Sequence, residues 1–213
     1  MRYLIALMFF LSLSNAWAEV TLTVLDQDNL PVTDAVITVP HQSISTPSTI
    51  AVMDQVDESF VPRVLVVQKG QYVSFPNSDD IRHHVYSFSK PKSFEIKLYK
   101  GTEIEPILFD KPGLVVLGCN IHDDMIGYIV VADNVLAFKT DENGQVSIPV
   151  KKGDTVSLWT ERTLQDINSA LPITITGETE QRITMELLPP PFDMMMDHGS
   201  MTKGFGKPKW SNY

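Results

Sequence analysis

The chain has 213 residues, one cysteine and a formal net charge of −9, with 26 acidic against 17 basic side chains. That balance argues against a nucleic acid or an anionic membrane as partner and suits a basic one. A lone cysteine excludes a disulfide within the chain, so its thiol is free, shared with another chain, or bound to a metal.

In chain order, residues 1–18 read as a secretory signal peptide. Arg2 gives the positive start, Leu4 to Leu13 is an apolar run broken only by Ser12, and Ala16-Trp17-Ala18 is a cleavage signal. The cut is expected after Ala18, and the product is expected in the periplasm or secreted. The run is too short for a membrane span, and no later segment is long and apolar enough to be one.

The rest reads as nearly all β. Val20 to Val24 and Phe94 to Leu98 alternate apolar with polar residues. Arg63 to Val67 and Gln71 to Phe75 are β-rich runs joined at Lys69-Gly70, a hairpin signal. Leu114 to Leu117 follows the turn Lys111-Pro112-Gly113, and Tyr128 to Val131 is a short apolar strand. Short strands with Gly, Pro, Asn and Asp punctuation predict a Greek-key sandwich or barrel. After Leu188, Pro189-Pro190-Pro191 is a stiff spacer, and residues 193–213 have no periodicity and read as a disordered tail. Its methionines, Met194, Met195, Met196 and Met201, would suit Cu(I), although a chance cluster in a tail is the stronger reading.

The chemistry concentrates around Cys119. Cys119, His122 and Met125 are spaced three apart on one short loop, and His83 and His84 lie upstream. A thiolate, two imidazoles and a thioether are the donors of a type 1 copper site, with the thioether as weak axial ligand. Adjacent strand residues face opposite ways, so one of His83 and His84 can join the loop. The alternative is tetrahedral zinc on Cys119, His122, His83 and an aspartate, which leaves Met125 without a role. No Ser/His/Asp grouping or phosphate loop is evident. Four protein ligands leave no open position for a substrate, so an electron carrier is expected rather than an enzyme. The alternatives are a copper-delivery protein using the same site and a structural adaptor whose site is vestigial.

The sequence also resembles known families. Asn77, Ile81-Arg82-His83-His84-Val85 and Cys119-Asn120-Ile121-His122-Asp123-Asp124-Met125 look like the cupredoxins, with the loop spacing of the amicyanins. The middle of the chain, with Phe75-Pro76-Asn77 and His83 to Ser89, resembles the cupredoxin-like methylamine utilisation proteins. The resemblance implies one copper ion on His83, Cys119, His122 and Met125. His83 takes the upstream position because Val85 matches the family's aliphatic residue, and His84 then supplies a backbone N–H to the sulfur. A redox partner protein is implied, a basic cytochrome or a dehydrogenase. Asp123-Asp124 departs from the apolar pair of the amicyanins and would change partner choice or offer a hard oxygen ligand beside Met125.

A second resemblance flanks the first. Residues 20–37 look like the opening hairpin of carboxypeptidase-regulatory-like (transthyretin-like) domains. Their continuation returns late, as Phe138 to Ile148, Lys151-Lys152-Gly153-Asp154, and a last hairpin of Ile173 to Thr176 with Arg182 to Leu187. The expected organisation is a first hairpin at 19–49, a copper domain at 50–134 inserted in or packed beside the sandwich, the sandwich's remainder at 135–188, and a tail at 189–213.

Overall fold

A computed structural model of the chain describes residues 19–102, 104–177 and 179–191. The expected signal peptide and the methionine cluster of the tail lie outside the described residues. Seventeen strands are formed: β1 (Glu19–Asp26), β2 (Val36–Ser43), β3 (Ala51–Val52), β4 (Asp54–Val56), β5 (Ser59–Val61), β6 (Val64–Gln68), β7 (Gln71–Ser74), β8 (His83–Phe88), β9 (Ser93–Tyr99), β10 (Ile107–Phe109), β11 (Gly113–Cys119), β12 (Ile126–Ala132), β13 (Val135–Lys139), β14 (Gln145–Pro149), β15 (Thr155–Trp159), β16 (Leu171–Thr174) and β17 (Glu180–Met185). The all-β reading holds, with no helix among the described residues. None of them therefore forms a helix long and apolar enough to cross a membrane.

The strands close around separate apolar cores. One sheet, ordered β14-β1-β17, and a second, β13-β2-β15-β16, share a core that includes Leu22, Ile37, Ile148, Leu158 and Ile183. A five-stranded sheet, β6-β12-β11-β8-β9, and a three-stranded one, β10-β7-β3, share another, which includes Phe75, Val85, Phe109, Leu117 and Ile129. Cys119 and Met125 belong to this second core.

Three expected hairpins are not ladders. The Lys69-Gly70 turn carries the chain from β6 in the five-stranded sheet to β7 in the three-stranded sheet. Likewise β1 and β2 lie in different sheets, as do β16 and β17. An arch between facing sheets needs the same turn residues and the same alternation as a hairpin, so local pattern does not distinguish them.

A third cluster joins the two halves. Val36 of β2, Val64 of β6, Leu114 of β11 and Trp159 of β15 are all buried together, with Val116, Tyr128 and Val130 packed on them. This explains the unbroken apolar run Leu114-Val115-Val116-Leu117. Val115 and Leu117 point into the copper-side core, and Leu114 and Val116 point at the other sandwich. Arg63 reinforces the junction with a two-pronged contact to Glu161, at 2.7 and 2.9 Å.

The end of β1 is tied down by a buried ion pair. Asp26 Oδ2 accepts from Arg162 Nη2 at 2.7 Å, and Oδ1 accepts from the backbone N–H groups of Asp28 and Leu30. Burial alone would raise the Asp26 carboxyl pKa, but the Arg162 hydrogen bond, the two N–H groups and the Arg162 charge together hold it below its ordinary value. A carboxyl depressed by folding contributes stability above its unfolded pKa of about 3.9 and loses it as pH falls through the folded value. Asp26→Ala, which strands a buried guanidinium, is expected to cost about 3–5 kcal/mol at neutral pH. Denaturant melts across the acid range should show the variant less sensitive to acid below about pH 4 than the wild type.

Candidate metal centre

The site is assembled by period-two alternation in two neighbouring strands and one turn. In β8, His83, Val85 and Ser87 are buried while His84, Tyr86 and Phe88 face outward. Cys119 ends β11 on the same inward face as Val115 and Leu117, and it pairs with Val85. His83 therefore lies diagonally beside the thiol, with Nδ1 3.7 Å from Sγ. His84 turns away and meets Glu95 of β9 at 3.0 Å. A register shift between His83 and Val85 in the β8–β9 ladder marks where the strand bulges to do this.

The third donor comes from the turn after Cys119. The Met125 N–H donates to the His122 carbonyl at 3.0 Å, closing a tight turn over Asp123 and Asp124. That turn points His122 back over the strand end. The His83 and His122 rings lie 5.2 Å apart, and one ligand atom from each of His83, Cys119 and His122 lies within 4.8 Å of the other two. Met125 is buried in the core that holds Cys119, whereas Asp123 and Asp124 are exposed.

The donor set fits a copper ion on the structure's own evidence. His122 Nδ1 is buried and has no hydrogen-bond partner. A buried polar atom without a partner is costly unless something fills the gap. Here the gap is beside a thiol and a second imidazole, donors that suit copper.

Two carboxylates that sequence reasoning missed complete the surroundings. Asp79 Oδ2 lies 2.8 Å from His83 Nε2. Both Asp79 oxygens also accept backbone N–H groups, from Asp57 at 2.9 Å and Glu58 at 2.8 Å. Burial would raise the Asp79 pKa, but the Glu58 N–H, the His83 contact and the Asp57 N–H outweigh it and hold the carboxyl below its usual value. Glu58 places its own carboxylate 3.5 Å from His122 Nε2. Asp57 and Glu58 are the two-residue turn between β4 and β5, both with positive φ, 50° and 58°. Neither is the Asn or Gly that such turns favour, so no sequence signal marked the hairpin.

The loop before His83 is fixed from below. The Asn77 side chain donates to the carbonyls of Ile81 and Tyr99 and accepts the Asp79 N–H. Tyr99 donates to the Phe75 carbonyl at 2.6 Å and accepts from Gln55 at 2.5 Å. Burial chiefly, with the nearby Asp54 and Cys119 charges, pushes its phenol up to about 12. Tyr99 is thus a fixed neutral donor at neutral pH. Gly127 of β12 allows Phe60 of β5 to lie against the strand, since a Cβ there would come within 2.8 Å of the Phe60 side chain.

No family model and no curated protein matches the sequence. Among solved structures, the chain is similar to a Cu-containing nitrite reductase from Thermus scotoductus SA-01, with 25% identity and a TM-score of 0.38 over 52% of this chain and 28% of that one. It is similar to amicyanin in a reduced Cu(I) form, with 20% identity and a TM-score of 0.36 at most among the forms compared here, over 45% of this chain and 97% of that one. It is similar to a purple cupredoxin from Nitrosopumilus maritimus, with 18% identity and a TM-score of 0.34 over 38% of this chain and 96% of that one. The chain spans little more than a quarter of the nitrite reductase.

His83→Ala should weaken copper binding by more than the roughly 10–100-fold expected for losing a ligand's supporting partner, and His84→Ala by less. Competition titration with a copper chelator separates the two. Equal losses, or the reverse order, would contradict the inward placement of His83. The neighbours among solved structures are cupredoxins, and the cupredoxin-like character of this chain rests on its own all-β sheets and its buried His83–Cys119–His122 group.

Proposed function

We propose that the chain is an exported mononuclear type 1 copper protein that moves single electrons between partner proteins. The observation that carries this reading is the buried, unpartnered His122 Nδ1 in a group with His83 and Cys119 whose ligand atoms all lie within 4.8 Å. His83, Cys119, His122 and Met125 are the proposed ligands. Copper, when bound, supplies a one-electron couple. His83 anchors the group to the β8 framework. Cys119 is the strongest donor and the electronic link to β11. His122, partly exposed on its turn, is the exit edge. Met125 excludes water from the buried side and sets the weak fourth interaction. Strand ends on a packed core hold these groups still, which keeps rearrangement on electron transfer small.

The proposed organisation follows the sheets. Residues 50–134 form the copper domain, and residues 19–49 with 135–188 form the flanking sandwich. The sheet pairings are consistent with this, because β1 and β2 pair only with strands from β13 onward. The proposed partner is basic. Asp57, Glu58, Asp80, Asp123 and Asp124 are all exposed on the segments that surround His122, and the exposed Ile121 and Ile126 flank its turn.

A visible spectrum of the copper-loaded protein tests the centre. A strong thiolate-to-Cu(II) band is expected, and Cys119→Ser should abolish it while leaving residual imidazole binding. A colourless copper complex of the wild type would refute the type 1 assignment. Met125→Leu should keep the band and raise the reduction potential, because a lost axial donor favours Cu(I). An unchanged potential in voltammetry would show that Met125 is not the axial group.

A further inference from the structure

The β4–β5 hairpin is short, yet it is fastened at every point. Gln55, fully buried, donates to the Pro76 carbonyl at 2.7 Å. Asp54 accepts from the Ser78 hydroxyl at 2.8 Å, and Ser78 N donates to the Gln55 carbonyl at 3.0 Å. Phe60 packs on β12 at Gly127. The result is a turn held over the edge of the centre, with its two amides aimed at Asp79 and one side chain aimed at His122.

The chemistry of these contacts is directional. A carboxylate at neutral pH only accepts hydrogen bonds, so a ring nitrogen facing one carries the hydrogen. Asp79 faces His83 Nε2 and Glu58 faces His122 Nε2. In a neutral imidazole the other nitrogen, Nδ1, is then the lone-pair donor. His83 Nδ1 is the atom beside Cys119 Sγ, and His122 Nδ1 is the buried atom without a partner.

We propose that the Asp57–Glu58 turn braces the centre: through Asp79 and Glu58 it fixes both imidazoles with Nε2 protonated and Nδ1 free to bind metal. Asp79 links the two halves of the device. One of its oxygens serves both the Glu58 amide and His83, and the other serves the Asp57 amide. The turn that orients His83 is thereby the turn that carries Glu58 to His122. Asp79 and Glu58 are positioning residues, since both act through the histidines.

Two variants separate the parts. Asp79→Asn replaces one acceptor oxygen by an amino group, which opposes a turn N–H and should release the turn. Glu58→Gly removes only the carboxylate and suits the positive φ, so the hairpin should fold at least as well. Nitrogen-resolved NMR of the metal-free protein reads each tautomer directly, and this readout does not depend on the proposed copper chemistry. The wild type should show His83 and His122 both as the Nε2–H form. Glu58→Gly should turn His122 into a tautomer mixture and leave His83 unchanged. Asp79→Asn should loosen both. On the copper reading, Cu(II) affinity should fall 10–100-fold in Asp79→Asn and by less in Glu58→Gly, with the potential raised in both. His122 protonated on Nδ1 in the wild type, or an unmoved His122 tautomer in Glu58→Gly, would overturn the brace. If Asp79→Asn does not fold, the Glu58→Gly comparison decides alone. If the tautomers respond as expected but the wild type gives no thiolate-to-Cu(II) band, the brace stands and the copper function falls.

Discussion

His83 is completely buried in an apolar surround, and it can stay there only because both ring nitrogens have partners. A buried imidazole with a missing partner costs on the order of 1–3 kcal/mol. The 2.8 Å contact with Asp79 supplies one partner and fixes which nitrogen faces inward. Asp79 is itself tolerable below the surface because two backbone N–H groups and the histidine satisfy it. Those N–H groups are available only because the β4–β5 turn adopts positive φ at two successive non-glycine residues. Such backbone conformations cost of order 1–3 kcal/mol each and persist where surrounding contacts over-determine them. Here Gln55, Asp54 and Phe60 do so. The centre, the loop from Asn77 to His83 and the hairpin are therefore one connected unit.

How much of this was legible in the sequence follows from distance along the chain. Cys119, His122 and Met125 lie within seven residues, so their convergence needs only one turn and can be read directly. The choice of His83 over His84 needed the period-two rule and a strand, and β8 supplies both. Asp79 and Glu58 were invisible for a different reason. Glu58 reaches His122 across more than sixty positions of sequence, on a three-residue hairpin whose turn lacks asparagine or glycine. Nothing local announces that contact. Asp79 sits in a run of polar residues, Asn77-Ser78-Asp79-Asp80, where a solvated loop is the ordinary expectation. The sheet assignments show the same limit. A turn such as Lys69-Gly70 says that the chain reverses, and only packing says whether it returns in the same sheet or the facing one.

The third apolar cluster gives the flanking strands a mechanical part in the centre. β11 carries Cys119 at one end, and its outward residues Leu114 and Val116 press on the neighbouring sandwich near Trp159. A sheet face that would otherwise be wet is covered, so β11 is apolar on both sides and restrained from both sides. Tyr128 of β12 stacks near Trp159 at 5.5 Å, and Trp159 is held in turn by its N–H to the Ile167 carbonyl. The thiol and the turn after it thus grow from two adjacent strands whose backs are fixed. A centre whose donors must keep their places through a change of charge gains from that support.

The charge around His122 sets a constraint on any partner. A histidine edge framed only by apolar side chains would attract partners by burial of that surface alone, which is weakly selective. Exposed Ile121 and Ile126 still offer such a surface. Around them lie exposed carboxylates on the His122 turn, on the β4–β5 turn and before His83. Opposite charge across such a rim speeds encounter and rejects acidic competitors, while contributing little affinity where it stays wet. Close approach of a cationic partner would also place positive charge next to Glu58, the group that faces His122 Nε2. Docking and the orientation of the exit imidazole are then coupled through one side chain. The same acidic rim that selects the partner lies against the ligand through which, on the proposed function, the electron leaves.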